Sequence, residues 1–387
     1  MNDENQPKVR FKGFTDPWEQ RKLSEVTVRV KSYSLSRSNE TYEQTGTKYI
    51  HYGDIHTGVA QDVRDENKLP NIIPGDYEQL QQFDIIVADA SEDYEGIAEP
   101  AIITTNPINR IVSGLHTIAL RPDKTDGRYI YYLLKSRKFK HYGYKLGTGM
   151  KVFGITFSNL GRFAFFLPDY TEQKGISKIL LNLENLIAAN QDKLDQLKEV
   201  KKLLMLKIFD QQWRFSGFTD PWEQRKLENI ALETYGGGTP TTKKKDFWDG
   251  DIPWIQSSNL RVDNLYSVEP GGFLTQDAIQ QSAAKIIPKN SIAIVTRVGV
   301  GKAALIPYDY STSQDFLSLS GLKVDIFFAI YSIYRHLQLL TQNLQCTSIK
   351  GITKKELLNT QTLIPNNQRE QKLIGQYFKV LDNLIAA

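Results

Sequence analysis

The sequence predicts an α+β protein in which two mixed α/β modules, related by an internal repeat, are joined by long coiled-coil helices. Three observations lead there. "RFKGFTDPWEQRKL" at 10–23 returns as "RFSGFTDPWEQRKL" at 214–227, with thirteen of fourteen positions identical. "EQKGISKILLNLENLIAA" at 172–189 returns as "EQKLIGQYFKVLDNLIAA" at 370–387, with ten of eighteen identical. Between the copies lie two dissimilar blocks of short β-rich runs. A repeat at a fixed period sets the architecture before any local reading, and 387 residues is the length of two or three domains at roughly 100–200 residues each.

In chain order, the repeat divides the protein into a lead-in segment (1–24), a first module (25–165), a first helix (166–213), a second lead-in (214–227), a second module (228–362) and a second, shorter helix (363–387). In the first module "FDIIVADA" (83–90), "AIITT" (101–105) and "HTIALRP" (116–122) read as strands between Gly, Asn, Asp and Pro turns. "GRYIYYLLKSRKFKHYG" (127–143) reads as a late helix. The second module repeats the plan with strands "NSIAIVTR" (290–297) and "KAALIP" (302–307) and a helix at 326–342. Asp169 stands three residues before Glu172, and Asn367 three before Glu370, so both conserved helices open with a cap and a glutamate able to reach back. Leu183, Ile187, Asn190, Leu194, Leu197, Lys201, Leu204 and Ile208 then form a heptad seam within a helix expected over about 170–209, roughly 60 Å long. The second copy stops at Ala387. In an antiparallel pair, residues near 370 should lie beside 204–208, leaving Ile176, Ile179, Leu180 and Leu183 in need of cover.

Composition narrows the function classes. A hydrophobic share of 40%, a charged share of 24% and a net charge of +4 describe a globular protein without a strong overall field. The single cysteine, Cys346, excludes an intrachain disulfide framework and fits a reducing, cytoplasmic location. The most apolar run, "DIFFAIYSIY" at 325–334, is too short to cross a bilayer, so no membrane association is expected. "GVGKA" (299–303) is only a fragment of a nucleotide-binding loop. "NPIN" (106–109) departs at its third residue from an amino-methyltransferase motif, and the carboxylates of "PDYTEQK" (168–174) sit too close together, at a helix cap, for a nuclease. Among the five histidines only His51 and His56 have a spacing worth testing for metal, and they lie in a β-rich segment. No catalytic or metal residue is expected: the chain is built to bind.

The candidate binding residues sit on turns. "YGGGTPTTKKKDFWDG" (235–250) sets Gly236, Gly237 and Gly238 before Lys243, Lys244 and Lys245, glycines that permit close backbone approach and lysines able to neutralise phosphates. Next, "WIQSSNL" (254–260) aligns with "YIHYGDI" (49–55), so Gln256, Ser257, Ser258 and Asn259 stand where His51, Tyr52, Gly53 and Asp54 stand in the first module. A kept frame with exchanged donors and acceptors is the pattern of two modules reading different base edges. The first module has a longer loop, Ser91, Glu92, Asp93 and Tyr94, where the second offers Arg297. Lys145 and Lys151 lie in "KLGTGMKVFGIT" (145–156), which parallels "QCTSIKGIT" (345–353) with Lys350.

Taken together, the duplicated "GFTDPWEQRKL", "GGGTPTTKKKDFWDGDIPWIQSSNL", "DASEDYEGIAEPAII", "GTGMKVFGITFSNL" and the helix "PDYTEQKGISKILLNLENLIAANQDKLDQLKEVKKLLMLKIF" make a chain that resembles the specificity subunit of type I restriction–modification systems, particularly those of Gram-positive bacteria. The resemblance covers nearly the whole chain. It implies two target recognition domains, each reading one half of a bipartite double-stranded DNA site, and helices that pack antiparallel as a spacer and set the gap. It also implies a non-catalytic subunit that docks two methylase subunits and, through them, restriction subunits. S-adenosylmethionine, ATP and magnesium are then expected on those partners and no cofactor on this chain. The apolar side chains Ile176, Ile179, Leu180 and Leu183 become a candidate methylase-docking face. Two other readings share the features less well: the recognition part of a fused restriction–methylation enzyme, which needs the missing motifs, and a structural adaptor whose lysine loops are merely solvated.

Overall fold

The computed structural model describes residue 7 and residues 9–93, 96–146, 153–344 and 351–387. The chain divides into two compact units, residues 1–189 and 190–387. Each unit is built on the same plan.

In the first unit the central sheet has the strand order Thr27–Val30, Thr117–Pro122, Ile85–Ala88, Pro100–Ile103, Asp62–Val63. Ile85–Ala88 and Pro100–Ile103 are buried along their whole length, as expected of apolar runs covered on both faces. One face carries the core of Leu23, Ile85, Val87, Ile130, Leu134, Phe139, Leu160 and Phe163 beneath the module's helices. The other packs Ile50, Ile55, Ile86, Ala88 and Ile103 beneath a smaller sheet that includes Thr47–Ile50 and Arg110–Ser113. The second unit repeats this order with Glu233–Gly236, Phe316–Ser320, Ser291–Val295 and Ala303–Ile306. All five strand segments read from sequence are present in these sheets. The helix expected at 127–143 is instead two, Gly127–Lys135 and Arg137–Leu146, because Ser136 turns extended (ψ 150°) and its Oγ accepts from the Phe139 N–H. A serine offering its own cap competes with continued helix, and here it lets Phe139 enter the core.

The near-identical lead-in segments do identical work. Glu19–Lys22 pairs antiparallel with Ala164–Leu167, and Trp222–Lys226 with Gln361–Pro365, the strand that feeds each conserved helix. Glu172 is fully buried and accepts from the Arg10 guanidinium at 2.8 Å and from Trp18 Nε1 at 3.1 Å. Glu370, equally buried, accepts from Arg214 at 2.7 and 2.8 Å and from Trp222 Nε1 at 3.2 Å. The glutamates expected to close a capping box thus face inward to the lead-in segment. The caps themselves are Asp169, which accepts from the N–H groups of Thr171 and Glu172, and Asn367, which accepts from Arg369.

The long helix runs Tyr170–Phe209, the extent read from its caps and heptads. Within the second unit the helix Gln368–Ala386 lies antiparallel to its C-terminal end. Phe378 stacks on Phe209 at 5.8 Å between ring centroids, and Asp382 Oδ1 meets Lys201 Nζ at 2.5 Å. Lys201 is therefore buried at 7% exposure, its charge matched by an aspartate that also accepts from the Tyr331 hydroxyl at 2.5 Å.

Candidate nucleic-acid interface

In the first unit three segments converge at one rim of the sheet. The strand Thr47–Ile50 delivers His51 and the short helix Tyr52–His56. The strand Ile85–Ala88 delivers Asp89, then Ala90–Ser91. The turn 113–117 presents His116 with a left-handed backbone, φ 54°. The rings of His51, His56 and His116 surround Tyr52 at 4.4, 5.9 and 5.4 Å, and His56 Nε2 lies 3.0 Å from the Ala90 carbonyl. Beside them, Asp89 Oδ1 is 3.2 Å from His116 Nδ1. Burial raises the Asp89 carboxyl above its usual range, opposed by His116, whereas burial and the Arg37 charge lower His51.

The sequence-derived candidates divide here. His51 is buried, with Nδ1 accepting from the Gly53 N–H. Asp54 is buried too: one oxygen accepts from the His51 N–H at 2.9 Å and the other from Arg37 at 2.7 Å. Ser91 is buried against Asp93, whose carboxylate accepts from the Gly96 N–H. These side chains hold turns closed, with His51 Nδ1, both Asp54 oxygens and the Ser91 hydroxyl engaged inside the chain. Tyr52 is half-buried and Glu92 exposed at the rim. Lys145 is exposed in the last turn of its helix. Tyr94, Lys151 and Lys350 lie outside the described residues, as does Cys346.

The second unit closes the corresponding turn with the same hydrogen bond. Asn259 Oδ1 accepts from the Gln256 N–H at 2.9 Å, the counterpart of Asp54 and His51. Asn259 is thus a turn-closing residue, while Gln256 and Ser258 are exposed and Ser257 half-buried. Lys302, which the sequence reading passed over, donates to the Ser257 carbonyl at 3.1 Å. Arg297 is exposed at the end of the strand Ser291–Val295, ahead of Gly299 and Gly301, both at φ +103°. Lys243, Lys244 and Lys245 are all exposed, with Lys244 over the Phe247 ring at 4.6 Å. The glycines before them serve a different end from the one expected. A Cβ on Gly237 would stand 1.8 Å from the Ser313 carbonyl oxygen, and one on Gly238 2.4 Å from Ala283, so the close approach they permit is to this chain's own backbone.

Sequence reasoning missed Arg37, Asp89, His116 and Lys302, because each partner lies 17 to 45 residues away in sequence. The one local signal was the turn "SGLHT" before a strand.

The long helix adds a second surface. Ile176 packs on the first unit's core and Leu180 is half-buried, but Ile179 and Leu183 are exposed, Leu183 at 50%. Leu186 and Ile187 extend the open strip. In the second unit the repeat-equivalent Ile374, Phe378 and Leu381 are buried in a cluster with Met205, Ile208 and Phe209, Leu381 at 9%. The cover expected to be missing is thus partly supplied, at Ile176, by the unit itself. Among the described residues no group of His, Cys, Asp or Glu side chains could hold a metal ion, and no helix is long and apolar enough to cross a membrane.

Comparison with known proteins follows the repeat. The family described as "Type I restriction modification DNA specificity domain" matches residues 15–199 and again 219–387. A putative type I restriction enzyme MjaX specificity subunit of Methanocaldococcus jannaschii is 24% identical over 412 residues, covering 99% of this chain and 91% of that protein. The EcoR124I/EcoR124II specificity subunit of Escherichia coli is 29% identical over 181 residues, 45% of this chain and 41% of its own. Among solved structures, the type I restriction–modification S subunit from M. genitalium superposes with a TM-score of 0.61 at 13% identity over 98% of this chain and 93% of that one. A chain from a study of type I restriction–modification complex assembly and conformational transition gives 0.57 at 16%, with the same coverage.

Proposed function

The chain belongs to the type I restriction–modification DNA specificity family, and from that premise we propose that its two units are target recognition domains, each reading one half of a bipartite, asymmetric site in double-stranded DNA. One observation carries the reading: the two rims share a frame down to a single hydrogen bond, His51 N–H to Asp54 and Gln256 N–H to Asn259, while the side chains around that frame differ. A frame kept for folding with a rim free to vary is what recognition of two unlike sequences requires. The rim residues that remain for the task are Tyr52, Glu92 and Lys145 in the first unit. In the second they are Gln256, Ser257, Ser258, Arg297 and the Lys243–Lys245 run. Positions on phosphates fall to the lysines and base edges to the others.

The reading extends to partners. The open strip of Ile179, Leu183, Leu186 and Ile187 is an apolar helix face of the kind a partner helix covers, and the occupant proposed is a methylase subunit. Two such subunits would carry S-adenosylmethionine, and restriction subunits held through them would use ATP and magnesium. This chain's residues bind and orient DNA and contribute no step of bond making.

Selection of DNA from a randomised library by the complex of this chain with its methylase subunits tests the proposal. A two-part consensus whose enrichment falls steeply with salt is expected. Binding without sequence preference would overturn it.

A further inference from the structure

The first unit's rim contains a built pair that none of the sequence-derived candidates includes. His116 is half exposed and stands on a backbone at φ 54°, a conformation few side chains adopt and one in which histidine is tolerated better than most. That turn is held from both sides. Asp89 N–H donates to the His116 carbonyl at 3.1 Å, Thr117 Oγ1 donates to the Gly114 carbonyl at 2.6 Å, and the imidazole stands edge-on to Tyr52 at 5.4 Å. The Asp89 carboxylate takes the Nδ1 side of the ring, and the Nε2 side has no hydrogen-bond partner among the described residues. A carboxylate cannot donate, so a neutral imidazole must place its proton on Nδ1, which leaves Nε2 as an acceptor on a half-exposed ring. Strain kept at an exposed, oriented polar group is a mark of a functional position.

We propose that His116, its tautomer set by Asp89, is a specificity-determining residue of the first unit, and that its Nε2 accepts a hydrogen bond from an exocyclic amino group, adenine N6 or cytosine N4, in that unit's half-site. The proposal rests on the reading of the first unit as a DNA recognition domain. Asp89 acts through His116 and is a positioning residue. Guanine and thymine offer only acceptors at the corresponding major-groove edge and leave Nε2 unpaired.

The test is selection from a randomised DNA library by the complex of the full chain with its methylase subunits, repeated with His116→Asn and Asp89→Asn. Asparagine tolerates the left-handed backbone at 116, and thermal melting checks that each variant is folded. His116→Asn is expected to lower discrimination at one base pair of one half-site by about tenfold, the scale of a single base-edge contact, and to leave the other half-site unchanged. Asp89→Asn keeps His116 in place, so it tests the proposal even should the first variant not fold. Its carboxamide can present oxygen or amino group to Nδ1, so both tautomers occur and preference at that same base pair relaxes. Unchanged preference at every position with both variants overturns the inference, as does weakening by the same factor on all sequences, which marks a phosphate contact. A wild-type complex without any preference would overturn the functional reading itself.

Discussion

The buried Lys201–Asp382 pair gives the sharpest test of how the conserved helices are joined in the second unit. Lys201 is 9% and Asp382 14% exposed along their side chains, 2.5 Å apart. Burial, with Tyr266 and Asp382 nearby, pushes the Tyr331 phenol far up, so it remains the donor to Asp382. Asp382→Ala strands the ammonium inside the protein and leaves the phenol without its acceptor, which should cost about 3–5 kcal/mol. At an m-value of about 3 kcal/mol/M in urea, the unfolding midpoint falls by about 1–1.7 M. Replacing both charges, Lys201→Met with Asp382→Leu, removes the stranded charge and should restore more than half of that loss, because an apolar pair of similar volume replaces a buried ion pair at little net cost. Tryptophan fluorescence follows this unit well: Trp213, Trp222, Trp248 and Trp254 all lie in it, and only Trp18 lies in the first. An Asp382→Ala midpoint within about 0.2 M of wild type would refute the claim that this pair is desolvated and coupled.

Three further outcomes follow from the same structure. Burial, then Arg335, lowers the His336 pKa, and its Nε2 is buried without a hydrogen bond; the unfolded chain therefore binds a proton that the folded unit refuses, so the urea midpoint of the second unit should fall as pH drops from about 7 to 5, and His336→Leu should flatten that slope. Replacing Lys243, Lys244 and Lys245 with alanine should weaken binding to all sequences alike and reduce the slope of log affinity against log salt by up to about 2.7, at roughly 0.9 per phosphate; an altered consensus would instead place them on bases. Leu183→Asp, at a half-exposed position, should leave the fold and the DNA consensus intact while lowering retention of the methylase subunit in a pull-down, and retention at wild-type level would move the docking face elsewhere.

Much of this architecture was legible because it is local. The long helix is announced by Asp169 and its heptads, and its observed span, Tyr170–Phe209, follows them. Strands such as Ile85–Ala88 are continuous apolar runs between turn residues. What the sequence could not display is pairing at a distance. Glu172 reads as half of a capping box, but the carboxylate turns to Arg10, 162 residues away. His51 and Asp54 look like a variable reading surface, yet burial and Arg37 commit them to the turn. Asp89 and His116 are 27 residues apart and meet only because their strands are neighbours in the sheet. Repeats expose a scaffold in sequence, whereas a rim assembled from three separated loops exists only once the sheet has formed.

The central claim is a division of labour between two units on one repeated frame. Exchanging residues 25–165 for the matching block of another family member, and mapping methylated adenines in a genome that carries the hybrid with its methylase, tests it directly. A new sequence is expected in one half of the bipartite site, with the other half and the gap between them unchanged. Alteration of both halves, or methylation without a two-part consensus, would contradict it.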